Sequence, residues 1–484
     1  MKINKLNISS PKILLAIATV VLIISISTFF HYQIYIGDAL TLKQLQEFGI
    51  NIPFLRILFE PVLGILLYFN RVLYSIDEIL YTLHWSVLIF IFYTVTKSIR
   101  IKENKKYFIT TQIMNFPLLV GIWFTLFVVI VFIPLPNNTI VNNSENYILV
   151  TTHSHTEYSH DGLTSQKGLW EWHKRNGFDA FFITDHNNHN RTIDFKNSQR
   201  DGEFPLEPLV LCGEEFSGTN HLSLLGLKRK FSTKSFADST AIDSVHANNG
   251  AVIVNHWFDG KHKSLGYYKN IGVDGFEIEN TATERFYDRN IYEEIKEFCE
   301  NNNLIMNGGL DFHGYGNVCS IWNAFNIPKW KSFTPDKKEE AILKIIQNRD
   351  QSKLKILIYK DRPFYDSQYL YLSPLFTLFN YFRTLNVYQV LSWIIWILLF
   401  VVVKNKISNN PKLSQKFSIN KLLPALTLAS SLFLLTLGGI YFIRIKNING
   451  FTEMYNEYST ILFYVGFTML VYSAITLFVR RGIK

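Results

Sequence analysis

The sequence predicts an α/β domain held between two groups of membrane-spanning helices. Long apolar runs are confined to the two ends of the 484-residue chain. The middle of the chain instead alternates short β-branched runs with helical segments, which is the pattern of an α/β fold. Histidines and acidic residues follow the ends of several of these strands, where parallel α/β barrels build their active sites.

Six apolar runs approach the roughly 20 residues that a helix needs to cross the hydrocarbon of a bilayer. They divide evenly between an N-terminal membrane region, residues 1–135, and a C-terminal one, residues 366–484. The predicted spans cover residues 13–36, 79–95, 113–133, 387–403, 422–443 and 461–479. A shorter run at 57–69 contains Glu60 and Pro61, so we expect an interfacial or re-entrant helix there.

The basic residues predict how the chain crosses the membrane. Lysines precede the first predicted span, and clusters of lysine and arginine follow the second, fourth and sixth. By the positive-inside rule, six spans place all four basic segments in the cytoplasm. The middle domain, residues 136–365, then faces the periplasm or the cell exterior from a multi-pass protein of the cytoplasmic membrane. No small-residue cleavage site follows the first span, which is therefore expected to remain as an anchor.

The net charge of +9 does not specifically indicate nucleic-acid binding. Much of the basic excess lies in the predicted cytoplasmic loops, where membrane topology accounts for it. The middle domain contains three cysteines without a CxxC motif: Cys212, Cys299 and Cys319. At most one disulfide can form within the chain, so the domain is not built on disulfides. The sequence leaves open whether that single disulfide forms.

Strands and helices are expected to follow one another throughout the middle domain. The strands are predicted at residues 147–152, 180–184, 209–213, 222–227, 251–255, 275–278 and 304–308. The helices are predicted at residues 166–176, 236–249, 284–302 and 335–347. Gly177 and Gly250 directly follow the first two helices and are typical stop residues.

Residues 150–162, VTTHSHTEYSHDG, contain the first metal-type side chains. His153 and His155 end an apolar strand with the spacing that points two side chains to one face. The following turn brings Asp161 toward them. Mixed imidazole and carboxylate ligands suit catalytic transition metals better than closed structural sites. The short HxH motif is weak by itself, so the interpretation depends on the rest of the domain.

Further candidate ligands stand beside later strands. They are His186, Glu215, His256, Asp311 and His313 after strands, and His221 just before one. Glu214 and Glu215 are adjacent, so only one of them can face the site from a strand, and the motif spacing favours Glu215. Histidines with purely structural roles would not be expected to collect at strand ends.

Six segments, in this order, resemble the motifs of the polymerase and histidinol phosphatase (PHP) family. They are HSHTEYSHDG, TDHN, GEE, HLSLLGL, VNH and GLDFH. The resemblance covers residues 147–330 and implies a distorted (β/α)7 barrel with two or three metal ions. It implies Glu215 as a bridging carboxylate within a ligand set of His153, His155, Asp161, His186, Glu215, His221, His256, Asp311 and His313. Trp257 stands where the family usually has proline and Leu310 where serine is common, which puts loop shape in doubt rather than metal binding.

The first functional hypothesis is a membrane-anchored, metal-dependent phosphoesterase that cleaves a phosphomonoester or phosphodiester with a metal-activated water. The donor set favours Mn, Fe or Zn over Mg alone. The catalytic candidates are Asp161, His221 and His256. The sequence leaves open whether His221, His256 or a metal-bound water protonates the leaving group. The substrate is expected to be a phosphorylated small molecule, a lipid-linked phosphate or a surface polymer. The alternatives are a non-catalytic ligand- or partner-binding sensor domain and, disfavoured by the few charges in the spans, a transporter.

Residues beside the motifs carry secondary expectations. His173, His246 and His262 are expected on the surface. His160 and His189 are expected in exposed loops, with support of a metal ligand or contact with the substrate as the alternative. Asp185 is a candidate acceptor for fixing the tautomer of a metal-bound imidazole. Glu279 and Arg285 are candidates for the mouth of the barrel, against an equal expectation that they are ordinary surface charges. The aromatic segment 369–382 could lie in the membrane interface.

Overall fold

A curled, mixed β-sheet of ten strands is the centre of the structure. The computed structural model describes residues 11–69, 76–259, 263–280, 289–316, 319–362, 371–411, 413, 419–448 and 453–482. Over these residues the sheet has the order β1-β12-β11-β4-β5-β6-β7-β8-β9-β10, and β2 pairs with β3 in a second, two-stranded sheet. The predicted α/β class is confirmed, whereas the exact seven-stranded barrel is not, because the sheet curls as a half-barrel and contains additional strands.

The strand bounds agree with the sequence analysis inside the middle domain and extend beyond it. The strands are β1 (Tyr35–Asp38), β2 (Phe48–Asn51), β3 (Thr139–Asn142), β4 (Tyr147–Thr151), β5 (Ala180–Ile183), β6 (Leu209–Ser217), β7 (His221–Leu225), β8 (Ala251–Val254), β9 (Gly275–Asn280), β10 (Ile305–Gly309), β11 (Ile321–Asn326) and β12 (Leu354–Lys360). All seven predicted strands are present as β4 to β10. The sequence analysis missed β1, β2, β3, β11 and β12.

The helices of the α/β domain lie between these strands. They are α6 (Gln166–Arg175), α7 (Asn190–Arg200), α8 (Asp238–Ala247), α9 (Leu265–Asn270), α10 (Arg289–Asn302) and α11 (Pro335–Gln347). Helix α6 begins at Ser165, whose side chain accepts a hydrogen bond from the Gly168 amide, and α11 begins at Thr334 in the same way through Lys337. Helices α7 and α9 were not predicted, since neither has a strong apolar period.

Parallel and antiparallel pairing together bring the strand ends to one rim. Strands β4, β5 and β6 pair in parallel, as do β8, β9 and β10, with β7 antiparallel between the two groups. The Asn323 side chain on β11 donates to the Gly308 carbonyl on β10 at 2.7 Å and accepts from the Gly308 amide at 2.8 Å. Because β10 and β11 are not neighbours in the sheet order, the sheet must curl far enough to bring its β10 edge toward β11.

Strand β5 shows why the sheet is buried on both faces. Its four residues, Ala-Phe-Phe-Ile, are fully buried. Successive side chains point to opposite faces, so Phe181 packs in one apolar cluster and Phe182 in another. A continuous apolar run is expected for a strand that is covered on both sides.

His173 of α6 is buried in the first of these clusters, so the expectation of a surface residue is wrong. Its Nδ1 donates to the Leu169 carbonyl at 2.9 Å, and its ring stacks on Phe181 with centroids 4.2 Å apart. Stacking on an aromatic strand compensates for the polarity of the imidazole, which local sequence could not indicate. Burial lowers the pKa of His173 to about 3.

The depressed pKa of His173 predicts a loss of stability in acid. The unfolded state takes up a proton near pH 6.5 and the folded state only near pH 3, so stability present above pH 6.5 is lost as the pH falls. Between pH 7 and pH 4, His173 lowers the free energy of unfolding by about 3 kcal/mol, because each pKa unit corresponds to about 1.4 kcal/mol. We expect His173→Phe, which keeps a ring on Phe181, to show a shallower loss in denaturant unfolding at the two pH values. Equal pH dependence in both proteins would contradict this account.

The segments predicted as membrane regions consist of apolar helices that precede and follow the α/β domain in sequence. The helices are α1 (Pro11–Phe29), α2 (Phe54–Leu58), α3 (Ile65–Phe69), α4 (Ile76–Arg100), α5 (Lys105–Phe132), α12 (Ser373–Arg383), α13 (Val387–Ser408), α14 (Ile419–Asn447) and α15 (Met454–Gly482). In the described part of the chain, five helices are long and apolar enough to cross a membrane: α4, α5, α13, α14 and α15. They correspond to the second through sixth predicted spans.

The first predicted span, 13–36, is wrong at its C-terminal end. Helix α1 ends at Phe29 and is shorter than the five long helices. Residues 35–38 form β1 instead and pair antiparallel with β12. The apolar run extends from α1 into β1 because Tyr35 and Ile36 pack on the core of the α/β domain, where Ile36 is buried. Hydropathy alone could not separate the helix from the strand.

The segment 57–69, predicted as an interfacial or re-entrant helix, is a helix broken in two. A π-helical turn at Glu60–Gly64 separates α2 from α3. Glu60 is fully buried and pairs with Arg56 at 3.2 Å, while the Tyr381 hydroxyl of α12 donates to Glu60 at 3.0 Å. The two charges are therefore paired with each other and are covered by α12, which accounts for their presence in an apolar segment.

Candidate metal centre

Nine predicted ligand residues come together at the rim of the sheet. His153 and His155 follow β4, His186 follows β5, Glu215 lies near the end of β6, and His221 begins β7. His256, Asp311 and His313 come from the loops after β8 and β10, and Asp161 comes from the loop between β4 and α6. Four overlapping groups of donor atoms could hold metal ions: His155, Asp161, His186 and His313; His153, His155 and Glu215; His153, His256 and Asp311; and His186, Glu215 and His221.

Glu215 is the centre of the arrangement. Its Oε1 lies 3.2 Å from a ring nitrogen of each of His153, His221 and His256. Its Oε2 lies 3.2 Å from Nε2 of His155 and of His186. The two oxygens of one carboxylate thus face two different sets of imidazoles, which is the geometry that a bridging ligand requires.

Asp161 and Asp311 supply the other carboxylates. Oδ2 of Asp161 lies 3.1 Å from His313 Nε2 and 3.3 Å from His186 Nε2. Oδ1 of Asp311 lies 3.2 Å from His153 Nε2 and 3.3 Å from His155 Nε2. Each of these two carboxylates therefore lies close to the ring nitrogens of two histidines.

The tautomers of two histidines test whether these residues fit a metal ion. His313 Nδ1 contacts the Asp311 carbonyl oxygen at 2.8 Å, which can only accept, so Nδ1 carries the proton. In the neutral ring, Nε2 then directs a lone pair at the Asp161 carboxylate 3.1 Å away. His153 has the same arrangement, with Nδ1 on Glu277 at 2.8 Å and Nε2 facing the cluster. Lone pairs that converge with carboxylate oxygens repel unless a cation lies between them, so the donor set fits divalent metal ions.

The pKa values indicate the same preference for positive charge. Burial alone would lower the pKa of His153 and His155, but Glu215 and Asp311 outweigh it and raise the pKa of His155 to about 10 and that of His153 well above its usual value. Burial would raise the pKa of Glu215, but His153 and His186 hold it well below its usual range. The same competition, with His186 and His313, holds the pKa of Asp161 low. Cationic charge therefore stabilises the centre.

Two ligands occupy strained backbone. His256 and Asp311 have φ values of +26° and +50°, in the region that non-glycine residues rarely adopt. The His256 amide donates to Glu277 at 3.1 Å, and the Asp311 amide donates to the His153 carbonyl at 3.1 Å. These contacts hold the strained residues in place, and such strain is concentrated at functional sites.

Glu277 is the main supporting residue that the sequence analysis missed. It is fully buried on β9, contacts His153 Nδ1 and accepts from the His256 amide, so it orients two candidate ligands. The sequence analysis considered Glu279, two residues along the same strand, which is also buried. The alternation of β9 places both carboxylates on one face, and this pattern could have identified Glu277.

Asp185 was expected to contact a ligand imidazole, but its described hydrogen bonds come from Thr156. The Thr156 amide and hydroxyl donate to its carboxylate at 2.6 and 2.7 Å. Burial, partly offset by His155 and Thr156, raises the pKa of Asp185 to about 6. Asp185 thus supports the loop after His155 rather than the ring of a ligand.

The residues beside the motifs have mixed outcomes. His160 is exposed, as expected, and His246 is partly exposed and pairs with Asp274 at 2.9 Å. His189 is instead fully buried and contacts Glu214, because α7 packs this end of the loop beneath β6. His262 and Arg285 lie outside the described residues. Glu214 faces His189 and Thr233, so Glu215 is the member of the pair that faces the centre.

The structure answers the question of a disulfide in the middle domain. All three are buried and free, so no disulfide joins Cys212, Cys299 or Cys319 in this structure.

Comparison with known families agrees with the geometry of the ligands. The sequence profile of the PHP domain matches residues 151–246. Residues 151–246 are thus similar to the PHP domain. The match begins just before His153 and includes His155, Asp161, His186, Glu215 and His221. The other candidate ligands, His256, Asp311 and His313, follow the matched residues. A comparison with curated proteins gives no match.

Three solved structures are similar to this chain at low identity. A two-domain protein from Bacteroides vulgatus that contains a predicted PHP-like metal-dependent phosphoesterase is 18% identical, with a TM-score of 0.34 over 44% of this chain. This chain covers 65% of that protein. PsfC from Pseudomonas syringae is 16% identical, with a TM-score of 0.31, over 43% of this chain and 98% of PsfC. A predicted metal-dependent phosphoesterase from Bifidobacterium adolescentis is 15% identical, with a TM-score of 0.28, over 35% of this chain and 90% of that one.

Proposed function

We propose that this protein is a metal-dependent phosphoesterase anchored in the cytoplasmic membrane, with its PHP domain outside the cytoplasm. The observation that carries the proposal is the position of Glu215, whose two oxygens each face separate imidazoles among nine convergent ligands. Nine ligands exceed the need of one ion, and clustered ions are the arrangement that phosphoester cleavage uses. The distribution of basic residues around the long helices supports the proposed sidedness.

We propose that these ligand groups hold two or three divalent ions of Mn, Fe or Zn, and Glu215 belongs to two of the groups. When bound, such ions would polarise the phosphate ester and supply an activated water for in-line hydrolysis. Asn255 donates to Glu215 Oε1 at 2.8 Å and so fixes the orientation of the shared carboxylate. The Ser159 hydroxyl donates to Asp161 Oδ1 at 2.6 Å, which directs Oδ2 toward His186 and His313.

The more exposed ligands mark where a substrate enters. The side chain of His221 is 38% exposed and that of Asp161 is 27% exposed, whereas His153 and His155 are fully buried. His221 directs Nδ1 to Glu215, so its Nε2 is the atom that we assign to protonating the leaving group. His256, only 10% exposed, is better placed to orient the shared carboxylate. Asp161 orients the phosphate at the opening.

The proposal is tested with the purified full-length chain, loaded with Mn or Zn and assayed on a phosphomonoester and a phosphodiester. We expect hydrolysis in the unaltered protein and a loss of roughly a thousandfold in the His153→Ala/His155→Ala variant, which removes two buried ligands. His246→Ala is the matched control, because this partly exposed histidine pairs with Asp274 outside the centre. Full activity in the double variant would overturn the proposal. Bound metal without turnover of any ester would favour the ligand-binding sensor instead.

A further inference from the structure

The rim of the metal centre is bonded directly to the ends of membrane helices. Glu157, two residues after His155, is buried and accepts hydrogen bonds from Nε and Nη2 of Arg444, near the end of α14, the first at 2.7 Å. The Tyr455 hydroxyl, at the start of α15, donates to the same carboxylate at 3.2 Å. A charged, bidentate contact of this kind is both strong and directional. The loop that contains Asp161 is therefore attached to two long apolar helices.

A second ligand loop makes its own contact with a third helix. The Gly316 amide, three residues after His313, donates to the Val131 carbonyl at the end of α5 at 2.7 Å. Since His313 contacts Asp161, the two ligand loops and the three helix ends form one continuous structure. The α/β domain thus turns its candidate metal-binding rim toward the ends of these long helices.

Tyrosines fill the junction between the rim and the helices. Leu163, Ile448 and Tyr455 are its buried members, and the rings packed on them include Tyr158, Tyr315, Tyr441 and Tyr458. Tyrosine is enriched where membrane helices pass from hydrocarbon into the headgroup layer. Tyr315 of the junction lies 6.0 Å, between ring centroids, from the candidate ligand His313. The tyrosines of the junction therefore reach the candidate metal centre through the His313 side chain.

We propose that the centre hydrolyses phosphate esters carried by membrane lipids, in the leaflet on the side of the PHP domain; this inference rests on the proposed phosphoesterase function. The phosphates of lipids lie in the polar layer outside the hydrocarbon, which is the depth that the tyrosines mark. Asp161, one of the two most exposed ligands, is on the loop that Arg444 holds at this depth. A lipid phosphate therefore reaches the ligands by diffusing in the membrane, without leaving it.

An exposed cation at the same rim suits an anionic headgroup. The Arg191 guanidinium lies 5.7 Å from the ring centroid of Tyr158, in the loop between His155 and Asp161. Arginine binds phosphate through paired, planar donors. Arg444 is already engaged with Glu157, so Arg191 is the arginine that we assign to the approaching headgroup.

The test uses the full-length, Mn-loaded protein in phosphatidylcholine vesicles that contain either phosphatidic acid or a polyprenyl phosphate, with glycerol 3-phosphate as the soluble substrate. We expect kcat/KM for one of the lipid phosphates to exceed that for glycerol 3-phosphate by roughly tenfold or more, because the membrane holds the substrate near the site. The lipid that is hydrolysed identifies the lipid class. An equal or higher kcat/KM for glycerol 3-phosphate overturns the lipid proposal and leaves the phosphoesterase function intact.

A measurement that does not depend on hydrolysis distinguishes the lipid proposal from the proposed phosphoesterase function. In phosphatidylcholine nanodiscs, Mn bound at the centre is expected to broaden the ³¹P resonance of the headgroups, reversibly with a chelator and not in His153→Ala/His155→Ala. Hydrolysis of soluble esters without this broadening overturns the membrane position of the site. Broadening without hydrolysis of any ester confirms that position but overturns the phosphoesterase function, and the lipid substrate with it.

Discussion

Replacing Glu215 with glutamine is expected to release the bound metal and to reduce phosphoester hydrolysis by roughly a thousandfold, the scale of losing a major electrostatic contact in an active site. The carboxylate faces five imidazoles through its two oxygens. An amide keeps the shape but loses the negative charge, and it presents hydrogens where one oxygen must act as a ligand. Metal analysis of the purified protein and kcat measurements check the result.

Glu214→Gln is the matched control for this variant. Glu214 is adjacent, equally buried and hydrogen-bonded, but it faces His189 and Thr233. We expect this variant to retain its metal, even if its stability falls. If Glu215→Gln kept the metal content and turnover of the unaltered protein, Glu215 would not be a bridging ligand.

Replacing Arg444 with glutamine is expected to weaken metal binding by roughly tenfold to a hundredfold, the scale seen when contacts that orient metal ligands are lost. The substitution leaves the buried Glu157 carboxylate without its charged partner, which destabilises the loop that contains it. The Glu157 amide bonds to Thr164, so disturbance of Glu157 reaches the loop that carries Asp161. Metal titration of the full-length protein gives the affinity.

A double variant distinguishes lost orientation from an unpaired charge. Glu157→Gln/Arg444→Gln removes both charges, so stability should recover relative to Arg444→Gln, while metal affinity should stay low. Lys446→Gln is the control, because it removes one exposed charge from the same helix end. Normal metal affinity in Arg444→Gln would show that the helix does not position the ligand loop.

The candidate ligands could be predicted from the sequence because the chemistry of metal binding restricts residue types. Strand ends then bring such residues together, whatever the details of packing. His173 and His189 show the limit of this reasoning. They are the same residue type beside the same motifs, but stacking on Phe181 and contact with Glu214 bury them, and both partners are determined by tertiary structure.

The missed strands have a related explanation. Strand β12 has an apolar sequence, LKILIYK, that could have been predicted locally. Strand β1 could not, because its Tyr35 and Ile36 continue the apolar run of α1 and gain their strand partner only from β12. The contact between Glu157 and Arg444 is also long-range, and no local pattern pairs a residue of the domain with one in a membrane helix.

The pairing of β1 with β12 has a consequence for how the protein is made. Residues 35–38 leave the ribosome early, and residues 357–360, with which they pair, follow only after almost the whole α/β domain has been synthesised. Contacts between residues so distant in sequence form slowly. Until the two strands pair, their unpaired edges promote aggregation. A secreted fragment limited to residues 136–365 would lack β1 altogether and would leave the edge of β12 open. The segment that precedes the α/β domain in sequence thus also supplies the strand that completes the sheet.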